Sequence, residues 1–127
     1  TPLRQFRVTG RFGGQRIVSG RARPPHYGID LAAPRGTPVY APAGGLVVLA
    51  ETGMLFEGGL IMIDHGQGVV TAYLHLSEVE VLRGQSVTRG QRIGAVGATG
   101  RATGPHLCWR LKWRGRHMDP MLMAGMR

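Results

Sequence analysis

Residues 60–76, Leu60-Ile61-Met62-Ile63-Asp64-His65-Gly66-Gln67-Gly68-Val69-Val70-Thr71-Ala72-Tyr73-Leu74-His75-Leu76, decide the fold. Two runs of apolar and β-branched residues are joined by a few positions that hold two glycines, a pattern that predicts an antiparallel hairpin. Alternation along the second arm places Thr71, Tyr73 and His75 on one face and Val70, Ala72, Leu74 and Leu76 on the other. That parity sends His75 to the more polar side, toward a groove or solvent. Tyr73 would follow it, either lining the groove or packing in the sheet.

The same grammar extends in both directions. Upstream, Val39-Tyr40-Ala41 leads through Pro42-Ala43-Gly44-Gly45 into Leu46-Val47-Val48-Leu49-Ala50, and a Gly-containing loop over 52–59 precedes Leu60. Downstream, 77–81 reads as a loop or a brief helical turn. Arg83-Gly84-Gln85 and Arg89-Gly90-Gln91 are two similar turns flanking Ser86-Val87-Thr88, and Ile93-Gly94-Ala95-Val96-Gly97 follows. A last strand runs from Leu107 to Trp113, closed by 115–120 before a Met-rich tail expected to pack or fray. Segment 6–23 reads as a short strand and an exposed loop. The 21 glycines and 8 prolines are spread along the 127 residues rather than massed, as in turn-rich β proteins. A single all-β domain over 1–127 is predicted, with 1–5 and 121–127 at its periphery.

Composition narrows the function classes. Sixteen Lys+Arg against seven Asp+Glu, with Lys112 the only lysine, suit an acidic matrix. The arginines are scattered with no aromatic stacking platform among them, which argues against nucleic acid. No stretch approaches the roughly 20 apolar residues that a membrane-spanning helix needs. No signal-like segment stands at the N-terminus, as expected of a mature or excised domain whose address has been removed. A lone cysteine forms no internal disulfide, and in an oxidising place metal ligation would explain it.

The chemistry concentrates in Thr103-Gly104-Pro105-His106-Leu107-Cys108-Trp109-Arg110. On a strand, His106 and Cys108 share a face roughly 6.5–7 Å apart, so both meet one metal ion or one binds while the other works beside it. A buried histidine and a buried small thiol are the plain alternative. His26 and Asp30 would sit about 13 Å apart on a straight strand, too far for one ion. A bend at Gly28 would bring them together, whereas a surface His and a capping Asp are the ordinary reading. His65 and His117 read as structural or exposed.

Taken in order, the chain carries Phe12-Gly13, His26-x-x-x-Asp30, Gly36-Thr37-Pro38-Val39, Asp64-His65-Gly66-x-Gly68 and Tyr73-x-His75-Leu76-Ser77. Gly90-Gln91-x-Ile93-Gly94 and Thr99-Gly100 then precede Thr103-Gly104-Pro105-His106-Leu107. This set resembles the lysostaphin/LytM-type zinc metalloendopeptidases, which cut peptide bridges of bacterial peptidoglycan. The resemblance implies two antiparallel β-sheets forming a groove, the LytM-like, duplicated-hybrid-motif type of fold, with zinc at the groove's centre. It implies His26 and Asp30 as metal ligands and His75 and His106 as catalytic, non-ligand histidines. The family's third ligand is the second histidine of His-x-His, and here that position is Cys108.

Thiolate remains a good zinc ligand, and a His, Asp and Cys set leaves a fourth position open. By simple charge counting, it takes the metal from about +1 to near zero, so hydrolysis weaker than in a His-x-His relative is expected. The implied partners are stem or bridge peptides of peptidoglycan and other cell-wall enzymes, met by a monomeric chain in the periplasmic or extracellular envelope. The alternative is a weak or inactive domain of the same type that binds wall peptides or regulates other hydrolases. A biotinyl- or lipoyl-type carrier is disfavoured because Lys112 sits mid-strand rather than at a hairpin tip. A polyanion-binding module leaves the His/Asp/Cys order unexplained.

Overall fold

A computed structural model of the chain describes residues 1–10, 16–18, 21–23, 28–54, 58–97 and 104–124. Among the described residues are twelve strands and one helical turn: β1 (Arg7–Gly10), β2 (Arg16–Val18), β3 (Arg21–Arg23), β4 (Ile29–Ala32), β5 (Pro38–Tyr40), β6 (Gly45–Met54), β7 (Gly58–Gly66), β8 (Val69–Val79), β9 (Ser86–Val87), β10 (Arg92–Val96), β11 (His106–Trp113), β12 (Arg116–Met118) and α1 (Met121–Ala124). Ten strands form one antiparallel sheet with the main order β1-β4-β11-β8-β7-β6-β9. From it β10 branches to β8 and β5, and β12 closes on β11, while β2 and β3 form a separate two-stranded ribbon. This is the expected all-β, two-sheet antiparallel class.

Local chemistry explains the turns. The predicted hairpin is β7–β8, and its two connecting residues, Gln67 and Gly68, have φ of 54° and 82°. Two positive φ angles in a two-residue loop match the twist of the flanking strands. The two similar turns are near copies. Gln85 N–H donates to the Leu82 carbonyl and Gln91 N–H to that of Thr88, at 3.0 and 3.1 Å. In each, the glutamine side chain caps the turn's first backbone N–H at 3.1 Å.

Several boundaries differ from the sequence reading. Residues 77–79 continue β8 because β10 pairs with them, so the expected loop or helical turn is strand. Residues 52–54 and 58–59 belong to β6 and β7 rather than to a loop. The described residues of the segment 6–23 hold three strands, and His117 lies on β12. Toward the two ends, Leu3 and Met123 enter the main core, and the Pro2 carbonyl accepts from Tyr40 N–H at 2.8 Å.

The core takes one side of β11 and β8. Leu107, Trp109 and Leu111 pack there with Tyr73, Ile61, Ile63 and Leu31, and β5, β9 and β10 contribute Val39, Val87, Ile93 and Val96. A buried polar chain crosses it. His65 donates Nδ1–H to the Gly44 carbonyl (2.8 Å), so its Nε2 accepts from Thr71 Oγ1 (2.7 Å), which in turn meets the Tyr73 hydroxyl at 2.6 Å. Burial pushes the His65 pKa down from 6.5, outweighing the upward pull of the Gly44 carbonyl and Asp64. The other side of the same strands carries a second, smaller cluster of Leu60, Leu74 and Cys108.

Candidate metal centre

Four of the five predicted site residues are described, and the sheet brings them to one face. Cys108 on β11 is the direct cross-strand partner of Asp30 on β4, so their side chains leave the sheet together, as opposed residues do. His106 lies two residues before Cys108 on the same face and pairs with Ala32. His26 lies outside the described residues, and among those described no three His, Cys, Asp or Glu side chains form a group able to hold a metal.

Gly28 is where β4 comes against β11. A Cβ there would stand 2.7 Å from the Arg110 side chain, 2.9 Å from the Trp109 carbonyl and 3.3 Å from Cys108 Sγ. Only a residue without a side chain lets β4 start this close to β11.

The parity reading of His75 is overturned. Thr71 and Tyr73 are fully buried in the core, as is Leu76, yet Ala72 and Leu74 face the smaller cluster with Cys108. Between Tyr73 and Leu76 the pairing with β7 slips by one residue. The slip is a β-bulge, and it sets the next core residue three positions on instead of two. His75 is its pivot, with φ of 66°, a conformation that non-glycine residues hold at a price of roughly 1–3 kcal/mol and mostly at functional sites. Tyr73 therefore lines no groove, whereas His75 reaches the site, its ring 5.0 Å from that of His106 and tilted by 59°.

Two glycines from neighbouring strands hold the bulge. A Cβ on Gly59 would lie 2.6 Å from the Leu76 carbonyl, and one on Gly97 2.5 Å from Ser77 N and 2.9 Å from the His75 carbonyl. The Ser77 hydroxyl adds a bond to the Val96 carbonyl at 2.9 Å. His106 is fixed on its other side, with Nδ1 2.8 Å from the Gly104 carbonyl. Since a carbonyl only accepts, Nδ1 carries a proton, and in the neutral ring Nε2 has the lone pair.

Burial and, after it, the adjacent Asp30 carboxylate push the Cys108 thiol up to about 11, against a smaller downward pull from Arg110. The thiol thus stays protonated near neutrality because its ionised form would sit beside a carboxylate in a dry place. A thiophilic divalent cation fits this pair: it would compensate both negative charges and is a chemical match to one sulfur and one carboxylate. Sequence reasoning missed three basic residues on this face, Arg110, Lys112 and His117. Counting by twos from Cys108 reaches the first two, and β12 pairs His117 with Lys112.

Residues 24–120 match the profile of peptidase family M23. The peptidoglycan DD-endopeptidase ShyA of Vibrio cholerae is 44% identical over 119 residues, 92% of this chain and 27% of ShyA. The chain therefore spans about a quarter of that relative's length. A zinc containing peptidase from Vibrio cholerae superposes with a TM-score of 0.87 at 39% identity, covering 94% of this chain and 38% of the other. The catalytic domain of the antimicrobial peptidase lysostaphin from Staphylococcus simulans does so at 0.82 and 30% identity, covering 94% and 92%.

Proposed function

Because the chain belongs to peptidase family M23, we propose that it is a zinc endopeptidase that hydrolyses peptide cross-links of bacterial peptidoglycan in the cell envelope. The observation that carries the reading is the convergence of Asp30, Cys108, His106 and His75 on one face of the sheet. His26, Asp30 and Cys108 would hold the metal. Zinc, when bound, supplies a Lewis acid for the peptide carbonyl and makes a water acidic enough to attack.

The two histidines divide the remaining work. His106 keeps a free lone pair on Nε2 because Nδ1–H is committed to Gly104, so it is the general base that takes the proton of the attacking water. His75, across a 5.0 Å ring separation, donates a hydrogen bond to the developing oxyanion, and the proton that His106 took from the water passes on to the leaving amine. The place of His75 on a bulge held by Gly59 and Gly97 limits rearrangement during the reaction, which is where electrostatic stabilisation gains most. The net charge of +9 draws the chain to an acidic wall.

The test is digestion of purified peptidoglycan by zinc-loaded protein. His106→Ala and His75→Ala should each lower the rate by about 10²–10⁴-fold while zinc stays near one per chain. Cys108→His should digest faster than the parent by the charge argument. Wild-type rates in the histidine variants would contradict the reading. One observation favours the second reading, a wall-peptide-binding or hydrolase-regulating domain without catalysis. The Arg110 guanidinium reaches the Cys108 thiol and so opposes a second cation there. A chain that refuses zinc at neutral pH would select that reading.

A further inference from the structure

Beyond Cys108 the site face continues as a trough with a volume of about 250 Å³. Its floor is apolar, made by Leu60 and Met62 of β7 and Ala72 and Leu74 of β8. Its rim is basic: Arg110 and Lys112 follow Cys108 at two-residue intervals, and His117 stands opposite Lys112. No carboxylate lines it among the described residues. The Arg110 Nε–H is buried and has no acceptor among the described residues, although a buried donor ordinarily finds one. Burial first, then Lys112 and Arg110, push the His117 pKa down.

We infer that this trough is a subsite for a peptide carboxylate: Arg110 and Lys112 clasp a free carboxylate while the adjoining floor takes a small apolar side chain. Three features select this occupant. Two cations with no acid among the described residues that line the trough are complementary to an anion, and the planar fork of Arg110 suits a carboxylate in particular. The floor has no polar side chain to read a sugar or a base. The volume lies below the roughly 300–1,000 Å³ of ordinary small-molecule sites, which fits one or two small residues. Arg110 is about 7 Å and Lys112 about 13 Å along the strand from Cys108. The carboxylate therefore sits one to three residues from the bond held at Asp30 and Cys108. Acidic or carboxyl-terminal peptides should be preferred over amidated ones. The inference rests on the peptidase reading only for the place of the scissile bond.

The experiment is an NMR titration of the whole chain, zinc-free and zinc-loaded, with N-acetyl-trialanine as free acid and as C-terminal amide. The acid should bind about tenfold more tightly, with shifts at Leu60, Ala72 and Leu74. Lys112→Glu should remove or invert the preference, and Arg110→Met should remove it. Raising salt from ~50 to ~500 mM should shrink it in the unmodified chain, where folding is not at issue. Equal binding of acid and amide, no binding of either, or a preference that survives both substitutions overturns the inference. Acid preference in a chain that takes up no zinc sinks the hydrolase reading and leaves the subsite standing. Zinc uptake and wall digestion without the preference do the reverse.

Discussion

Strands β8 and β11 lie side by side and both end at the same site, yet only one of them keeps a two-residue alternation. On β11, Leu107, Trp109 and Leu111 go to the core while His106, Cys108, Arg110 and Lys112 go to the other face. On β8 the rule holds to Leu74 and then breaks, so that His75 joins the site face although its parity assigns it to the core side. The regular strand sets Cys108, the proposed metal donor, at a fixed register, and the bulged strand turns His75, the proposed catalytic group, toward the same face. The contrast separates residues that make the fold from residues that use it.

The largest effects come from neighbours on β11. Trp109→Ala should destabilise the chain by about 3–5 kcal/mol, since a large side chain with no exposure leaves a cavity. Cys108→Ala, one residue away, should change metal-free stability by only about 1 kcal/mol but abolish zinc binding and wall digestion. Urea unfolding beside metal analysis separates the two. If both variants merely unfold, the division of faces is wrong.

The bulge is tested from outside it. Gly97→Ala places a methyl 2.5 Å from Ser77 N, and overpacking of this kind costs about 1–3 kcal/mol. Digestion should fall further than stability explains, with zinc retained, because His75 moves and the ligands do not. An active Gly97→Ala protein would mean that the strained His75 backbone is dispensable.

Proton linkage gives a graded test of the same two strands. A thiol held at about 11 must lose its proton to bind zinc. Apparent zinc affinity should therefore rise by about tenfold per pH unit between pH ~7 and ~9, and Cys108→Ser should lose that slope. The smallest effect belongs to His65. Its folded pKa lies below 6.5, so below that pH the unfolded chain takes up a proton that the folded chain refuses. Stability should be full above pH 6.5 and fall as the pH drops toward the folded value, and His65→Phe should flatten the decline. Titration of the urea midpoint against pH checks the sign.

Much of this was legible in the residues, for reasons that the structure makes plain. The Gly66-Gln67-Gly68 turn, the twin Arg-Gly-Gln turns and the late strand carry their signals within a few positions. The convergence of His106 and Cys108 followed from strand parity alone. The pairing of Asp30 with Cys108 needed the resemblance, because no local pattern sets the register of β4 against β11. The bulge was illegible in the second arm of the hairpin. It depends on Gly59 and Gly97 closing on β8 from both sides, and an alternating pattern read along one strand has no access to them. The continuation of β8 through Val79 was hidden for the same reason, since the partner strand β10 decides it. The predicted ligand His26 lies outside the described residues.

The central claim is that the sulfur of Cys108 and the carboxylate of Asp30 share one zinc ion. X-ray absorption at the zinc edge of the loaded protein tests it most directly. The account predicts one sulfur at ~2.3 Å together with nitrogen and oxygen donors at ~2.0–2.2 Å, and loss of the sulfur shell in Cys108→Ser. A shell of nitrogen and oxygen alone in the unmodified protein, or a chain that binds no zinc at all, would contradict it.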